Sequence, residues 1–330
     1  MTEEDAPPRR SGGAGWKLAL RIIVSVALLV VLARNLRNPT DAIPGGHHLV
    51  TTGLLVGALL MTLLGVVLSA WRWQRVLMVF DVQPSLRTLT RHYLAGLFVG
   101  NALPGTIGGD VLRVSRLSTS IESSTTAFAS VVLERLTGFL ALPAFVLLGF
   151  VVRPSLLDHN HAWIALLIAG ITLTVLAVIL FAAGHSRVAG RFADNDNWTR
   201  FIGAVHVGVD RLRRDPRQAF PVLATAFVYQ LSVISVFGLI FRALDLPVPL
   251  AALFAFAPAV LMVQVLPISL SGLGVREGAL VLFLHPLGVS REQAFAAGLL
   301  WWGALLIVSM LGAPAFAIGH RRRTRAERPA

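Results

Sequence analysis

Long apolar stretches alternate with short arginine-bearing ones along nearly the whole chain. A helix needs about 20 largely apolar residues to cross about 30 Å of hydrocarbon. On that criterion six full spans are predicted, at 17–34, 50–70, 124–152, 162–183, 218–241 and 293–318. Two further apolar regions, 92–120 and 250–285, are interrupted near their middles by proline and glycine. The predicted fold is therefore all-α: a polytopic helical membrane protein with about six full spans plus two re-entrant or broken-helix hairpins. A single transmembrane domain is expected over 17–318, between an N-terminal tail at 1–16 and a basic tail at 319–330, with no soluble catalytic module. Within the polar stretch 184–217, Trp198, Phe201, Ile202, Val205, Val209 and Leu212 recur at helical spacing among Arg200, Arg211, Arg213 and Arg214. That pattern predicts an amphipathic helix, lying either at the cytoplasmic lipid surface or packed under the bundle.

Composition narrows the class. Of 330 residues, 55% are hydrophobic and 14% charged, against about 25% charged in soluble domains. Cysteine is absent, which excludes disulfides, cysteine-ligated zinc and thiol catalysis. The net charge of +12 is compatible with nucleic-acid binding. The basic residues instead flank apolar spans, as membrane topology demands, so no nucleic-acid partner is expected. The first apolar run, 22–33, follows Arg9, Arg10, Lys17 and Arg21 like a signal peptide, but lacks a convincing small-x-small cleavage site. It reads as an uncleaved first helix.

Loop charge orients the chain. Segment 71–91 carries Arg72, Arg75, Arg87 and Arg91 against Asp81, segment 184–217 carries seven Arg and four Asp, and the tail carries five Arg against Glu327. The alternate loops are short and nearly neutral. The arginine-rich side, and with it both termini, is expected to be cytoplasmic.

The broken segments resemble each other. The first runs Asn101-x-x-Pro104-x-x-x-Gly108-Gly109-Asp110-x-x-Arg113, the second Pro267-x-x-x-Ser271-Gly272-x-Gly274-x-Arg276-Glu277. Each has Leu-Pro, then glycines, then an Arg nine residues after the Pro. Proline removes an amide donor and glycine permits unusual backbone shapes. Irregular backbone at membrane depth survives only where protein or a watery cavity satisfies it. Each half of the chain reads span, span, hairpin, span, starting on opposite faces, so an inverted repeat is predicted. Paired broken segments in such halves point to a transporter's binding site; tight interhelical turns are the alternative.

Charge inside the spans supplies the candidate chemistry. Glu134 and Arg135 lie well within span 124–152, where unpaired charge toward lipid is costly. Neighbouring helix residues do not face each other, so both need partners elsewhere. Asp110, Arg113, Arg276 and Glu277 are available, completing three acids and three bases. They form either a structural ion-pair network or a site where an Arg exchanges an internal carboxylate for a ligand phosphate, which its planar fork grips well. Trp71-Arg72-Trp73 reads as an interfacial anchor without chemistry. Trp301-Trp302 falls inside a span. His92 and Tyr93 either line the first hairpin or pack its helix. His47-His48 and His159-x-His161 lack the carboxylates for a convincing metal site, so neither metal nor cofactor is expected.

These motifs together (the Asn101–Arg113 pattern, Glu134-Arg135, and Ser271-Gly272-x-Gly274-x-Arg276-Glu277) resemble the flippase-like membrane domain of lysylphosphatidylglycerol synthases over roughly 17–318. The resemblance implies a bacterial cytoplasmic membrane and the handling of lipids. In the fused synthases this domain moves an aminoacylated phospholipid between leaflets, while a separate soluble domain makes it. The present chain ends at Ala330, so the aminoacyl-transfer domain is expected to be missing and the lipid need not be the lysylated one.

Three functions follow. The first is a lipid flippase or scramblase in which Arg113, Arg135, Arg276 and Asn101 hold an anionic headgroup, with Asp110, Glu134 and Glu277 as exchange or gating partners. Pro104, Gly108, Gly109, Pro267, Ser271, Gly272 and Gly274 would shape the hairpins. There is no P-loop, so active movement would need a gradient or another protein. The second is an accessory protein of a lipid-modifying or glycan-synthesis enzyme. The third is a polyprenyl-pyrophosphate phosphatase, which 266–269 and 104–106 faintly resemble. No Glu-x-x-x-Glu metal motif is present, and Leu273 stands where a His would be expected, so the chain is read as a non-enzyme.

Overall fold

A computed structural model describes residues 48–102, 106–184, 199–266, 269 and 272–317. The predicted first span at 17–34 and both terminal tails lie outside the described residues. Among the described residues every regular element is helical. In chain order the main ones are α1 (His48–Met78), α2 (Leu86–Ala102), α3 (Thr106–Ile121), α4 (Ser124–Val152), α5 (Ala162–Gly184), α6 (Thr199–Arg214), α7 (Pro216–Ala243), α8 (Leu250–Val263), α9 (Val275–Leu284) and α10 (Arg291–Met310), with short 3-10 helices at Pro154–Asp158 and His285–Leu287. Five of them, α1, α4, α5, α7 and α10, are long and apolar enough to cross a membrane. The chain is an all-α, multi-pass membrane protein.

Helix limits follow local chemistry. Ser123 caps α4, its hydroxyl accepting from the Thr126 amide at 3.2 Å. Asp215 caps α7 ahead of Pro216, and Ser290 with Gln293 forms a capping box on α10. Two predicted spans shift. The span predicted at 50–70 continues as helix to Met78, carrying Arg72 and Trp73 into the protein rather than to an interface. The span predicted to reach 318 is interrupted by a turn at Leu311 and resumes as helix over 312–317; Pro314 has no amide to donate across the break.

Both broken segments are antiparallel helical hairpins. In the first, α2 and α3 have 17 and 16 residues, each below the length of a full span. They cross through glycine: a Cβ on Gly96 would sit 2.8 Å from the Gly109 carbonyl oxygen. In the second, α8 and α9 have 14 and 10 residues and meet through stacked Phe256 and Phe283, with centroids 5.1 Å apart. The turn between them uses Gly272 at φ 78° and Gly274 at φ 83°, a left-handed backbone that favours glycine. The order span, hairpin, span thus occurs twice, as α1, α2–α3, α4 and as α7, α8–α9, α10.

The main apolar core joins α4, α7, α8, α9 and α10 through Phe145, Phe150, Phe237, Phe241 and Phe283. Small residues bring helices close, as membrane packing requires. A Cβ on Gly149 of α4 would lie 2.6 Å from the Ala251 carbonyl oxygen of α8. Helix α5 turns Trp163, Leu167, Ile171, Val175 and Phe181 outward, an apolar face suited to lipid. Helix α6 packs Val209 and Leu212 against Val76, Val79 and Leu133. Arg211 ties it to the end of α1, donating to the Val79 carbonyl and to Asp81, both at 2.7 Å. That is the packed alternative for this segment; Trp198 lies outside the described residues.

Candidate functional site

One turn of α1 presents Ser69, Arg72 and Trp73 to α4, where Ser130, Glu134 and Gly138 line up at helical spacing. Glu134 is almost wholly buried and accepts from three donors. Arg72 Nη2 reaches its Oε1 at 2.6 Å, the Ser69 hydroxyl donates to the same oxygen at 3.0 Å, and Arg113 Nη2 donates to Oε2. Arg113, on α3, also meets Asp110 one turn earlier at 3.3 Å. The other oxygen of Asp110 accepts from Arg135 Nε at 2.5 Å. The result is a chain of alternating sign, Arg72–Glu134–Arg113–Asp110–Arg135, drawn from α1, α3 and α4. Glu134 and Arg135 point to different partners, as adjacent positions within a helix usually do.

Aromatic faces hold the guanidiniums in place. Arg113 stacks between Trp73 and Tyr93, at 4.2 Å and 4.4 Å, and Arg72 lies 4.4 Å over Tyr229. Trp73 is itself fixed by a 2.9 Å bond from its indole N–H to the Ser130 hydroxyl. Glycine makes the room: a Cβ on Gly138 would come 2.6 Å from Arg72 Nη1.

Arg276 and Glu277 stand apart. Both side chains are fully buried and pair with each other. The pairing is possible because Glu277 folds back over the helix start, where its Oε2 accepts the Gly274 amide at 2.7 Å while Oε1 faces Arg276. Arg276 lies 5.0 Å over Trp301, which stacks on Phe237 at 5.4 Å. A Cβ on Gly298 would meet Glu277 Cγ at 2.9 Å. The six charged residues singled out from sequence therefore form two groups, and Arg72 joins the first.

Two adjoining chambers, of about 240 and 170 Å³, open along the first group. Arg113, Arg135, Tyr93, Gln264 and Trp301 border both; Arg72, Glu134 and Gln230 border the larger, Asn101 and Asp110 the smaller. Several polar atoms here are buried without a hydrogen-bond partner among the described residues: Arg72 Nε and Nη1, Arg113 Nε, Asn101 Nδ2 and Gln264 Oε1. Gly109 borders the smaller chamber and Gly108 lies just before it in α3, while Gly272 and Gly274 form the second turn. Pro104, Pro267 and Ser271 lie outside the described residues.

Sequence reasoning missed Arg72, taken as an interfacial anchor, and the lining role of Gln230, Gln264 and Tyr229. Arg72 carried a usable signal: it lies inside a helix whose apolar run needs only Met78, not Trp71, as its end. The glutamines carried none, since an amide in an apolar helix looks the same wherever it points.

With that geometry in place, a family description of the lysylphosphatidylglycerol synthase TM region matches residues 18–313. The chain belongs to this family. The family's membrane region is a domain separate from the catalytic one. A UPF0104 membrane protein of Pyrococcus horikoshii is 28% identical over 139 residues, 41% of this chain. That match spans 40% of the relative's own length.

Proposed function

We propose that this family member moves an anionic, phosphate-bearing lipid across the cytoplasmic membrane, as a flippase or scramblase. The observation that carries the reading is the alternating chain beside the chambers, in which two carboxylates are shared among three arginines. A phosphate entering the larger chamber competes with Glu134 and Asp110 for guanidinium donors, and the freed donors make bidentate contacts. Asn101, Arg113 and Arg135 hold the headgroup in this scheme. Arg276 reaches a headgroup only after its pair with Glu277 opens, so that pair acts as a gate on the second hairpin. Lipid drives such opening only by binding the two states differently. The arginine excess outside the spans supports a cytoplasmic position for both termini.

The test is leaflet exchange of fluorescent phospholipids in proteoliposomes, comparing wild type with folded Arg113→Gln and Arg276→Gln. Exchange by wild type that both substitutions abolish is the expected result. The pairing of every carboxylate in the two groups favours a second reading, an accessory protein whose charges only brace the hairpins. Under that reading the wild type exchanges no lipid, and neutral substitutions spare its cellular role wherever folding survives.

A further inference from the structure

A further cavity, of about 470 Å³, lies on the other face of α4, bounded by α4, α5, α6 and α7. Leu136, Leu140, Leu176, Leu180 and Leu223 form much of its wall, and it shares no lining residue with the two chambers. Leu133, Leu136, Thr137 and Leu140 of α4 face it, whereas Glu134, Arg135 and Gly138 face the larger chamber. Helical spacing thus makes α4 a common wall, apolar on one side and charged on the other.

The interior of this cavity offers water nothing to bind. The Thr137 hydroxyl is turned back on its own helix, donating to the Leu133 and Glu134 carbonyls at 3.0 and 2.9 Å. An engineered apolar cavity of about 150 Å³ stays dry and takes up a small hydrocarbon. Left unfilled, such walls forfeit dispersion contacts. In a membrane the hydrocarbon at hand is an acyl chain. Leu133 to Leu140 cover about 10 Å of helix, a large part of the roughly 15 Å that one leaflet contributes to the hydrocarbon core.

Charge at the mouth names the other end of the ligand. The last turn of α6 carries Arg211, Arg213 and Arg214. Arg211 is paired with Asp81 at 2.7 Å and Arg214 with Asp210 at 2.8 Å. The nearby Asp215 accepts the Arg217 amide. Arg213 has no acid partner among the described residues, and it is the exposed charged group that borders the cavity. Its stem can lie along the apolar wall while the guanidinium stays at the polar surface. On the orientation that the arginine excess supports, this mouth faces the cytoplasmic leaflet, whose anionic lipids attract arginine.

We propose that this cavity binds one acyl chain of an anionic phospholipid from that leaflet, with the lipid phosphate resting on Arg213. The site is separate from the headgroup chambers and does not depend on the transport reading. Its lipid buttresses α4 on the face opposite Glu134.

The experiment uses the full chain in a non-ionic detergent, with phosphatidylglycerol that carries a diazirine near the end of one acyl chain. Light-induced crosslinks are mapped by peptide mass spectrometry, with unlabelled phosphatidylglycerol or phosphatidylcholine as competitor. Crosslinks should concentrate on Leu136, Leu140 and Leu223. Unlabelled phosphatidylglycerol should displace them about fivefold better than phosphatidylcholine, the worth of one arginine near an anionic surface. Arg213→Gln, which breaks no ion pair, should erase that preference and leave the thermal midpoint of the lipid-free protein unchanged. Leu140→Trp, which fills the cavity, should remove the crosslinks there and keep those on the outward face of α5. Added phosphatidylglycerol should raise the thermal midpoint of wild type more than that of Arg213→Gln. Crosslinks confined to the outward face of α5 overturn the site. Crosslinks in the cavity that both lipids displace equally, or whose preference survives Arg213→Gln, overturn the assignment of an anionic lipid. Arg213→Gln decides the matter even where Leu140→Trp misfolds.

Discussion

The two charged groups begin from similar sequence and end in different physical states. Each follows a Leu-Pro and glycines in the sequence, and each brings an acid and an arginine to the first turns of a half-length helix. In the first, Asp110 and Arg113 are one turn apart on α3, share a face, and reach out to α4. In the second, Arg276 and Glu277 are adjacent, and the backbone at Gly274 lets Glu277 turn back and close on its neighbour. Spacing and position together decide the outcome: three residues apart on α3 builds a network open to a cavity, while adjacent positions at a helix start, with Glu277 folded back on the Gly274 amide, build a closed pair. A network with one exposed end, at Arg135, exchanges partners more readily than a sealed pair, which resists until something pulls it apart.

That contrast can be broken experimentally. The largest effect is expected from Arg113→Gln, which strips both Glu134 and Asp110 of a partner. Losing one member of a buried ion pair costs about 3–5 kcal/mol, so the thermal midpoint in detergent should fall sharply and exchange should vanish. Arg276→Gln should cost a similar or slightly smaller amount, but here the double variant is decisive. Arg276→Gln with Glu277→Gln should regain most of the loss, because the pair has few other partners. Arg113→Gln with Glu134→Gln should not, because Arg72 and Asp110 remain unmatched; equal recovery in both would make the groups equivalent.

Gly138→Ala and Gly298→Ala probe the room each group needs. Overpacking at such sites costs about 1–3 kcal/mol, and the two predictions differ in readout. Displacing Arg72 should slow exchange as well as lower stability, whereas crowding Glu277 should act first on stability. The smallest stability effect belongs to Arg135→Gln, at most about 1 kcal/mol for a partly exposed pair. Its side chain is 41% exposed, so it should unfold like wild type yet exchange lipid poorly. A stability loss matching that of Arg113→Gln would make the chain a structural brace.

Much of this was legible in the residues. The apolar runs locate α1, α4, α5, α7 and α10 because hydrocarbon demands length and apolarity together, and both can be read locally. The hairpins were legible for the same reason, since Pro and Gly interrupt runs otherwise apolar enough to continue. Asp110, Arg113, Glu134 and Arg135 stood out as charge in an apolar setting. Their partition did not, because pairing depends on which helix faces which. Arg72 was hidden by its place between two tryptophans, a pattern that serves an interface equally well. Its partner lies 62 residues away on α4.

The chain's own order of residues thus determined that it lives in a membrane, where its helices run and where they break, because each of those follows from the short-range physics of apolar length and backbone freedom. Tertiary packing alone decided that Glu134 is shared by Arg72 and Arg113, that Arg276 closes on Glu277, and that the chambers open beside the first group. Those are matters of distance between helices, and a Gly96–Gly109 or Gly149–Ala255 crossing sets such distances only once both partners are in place.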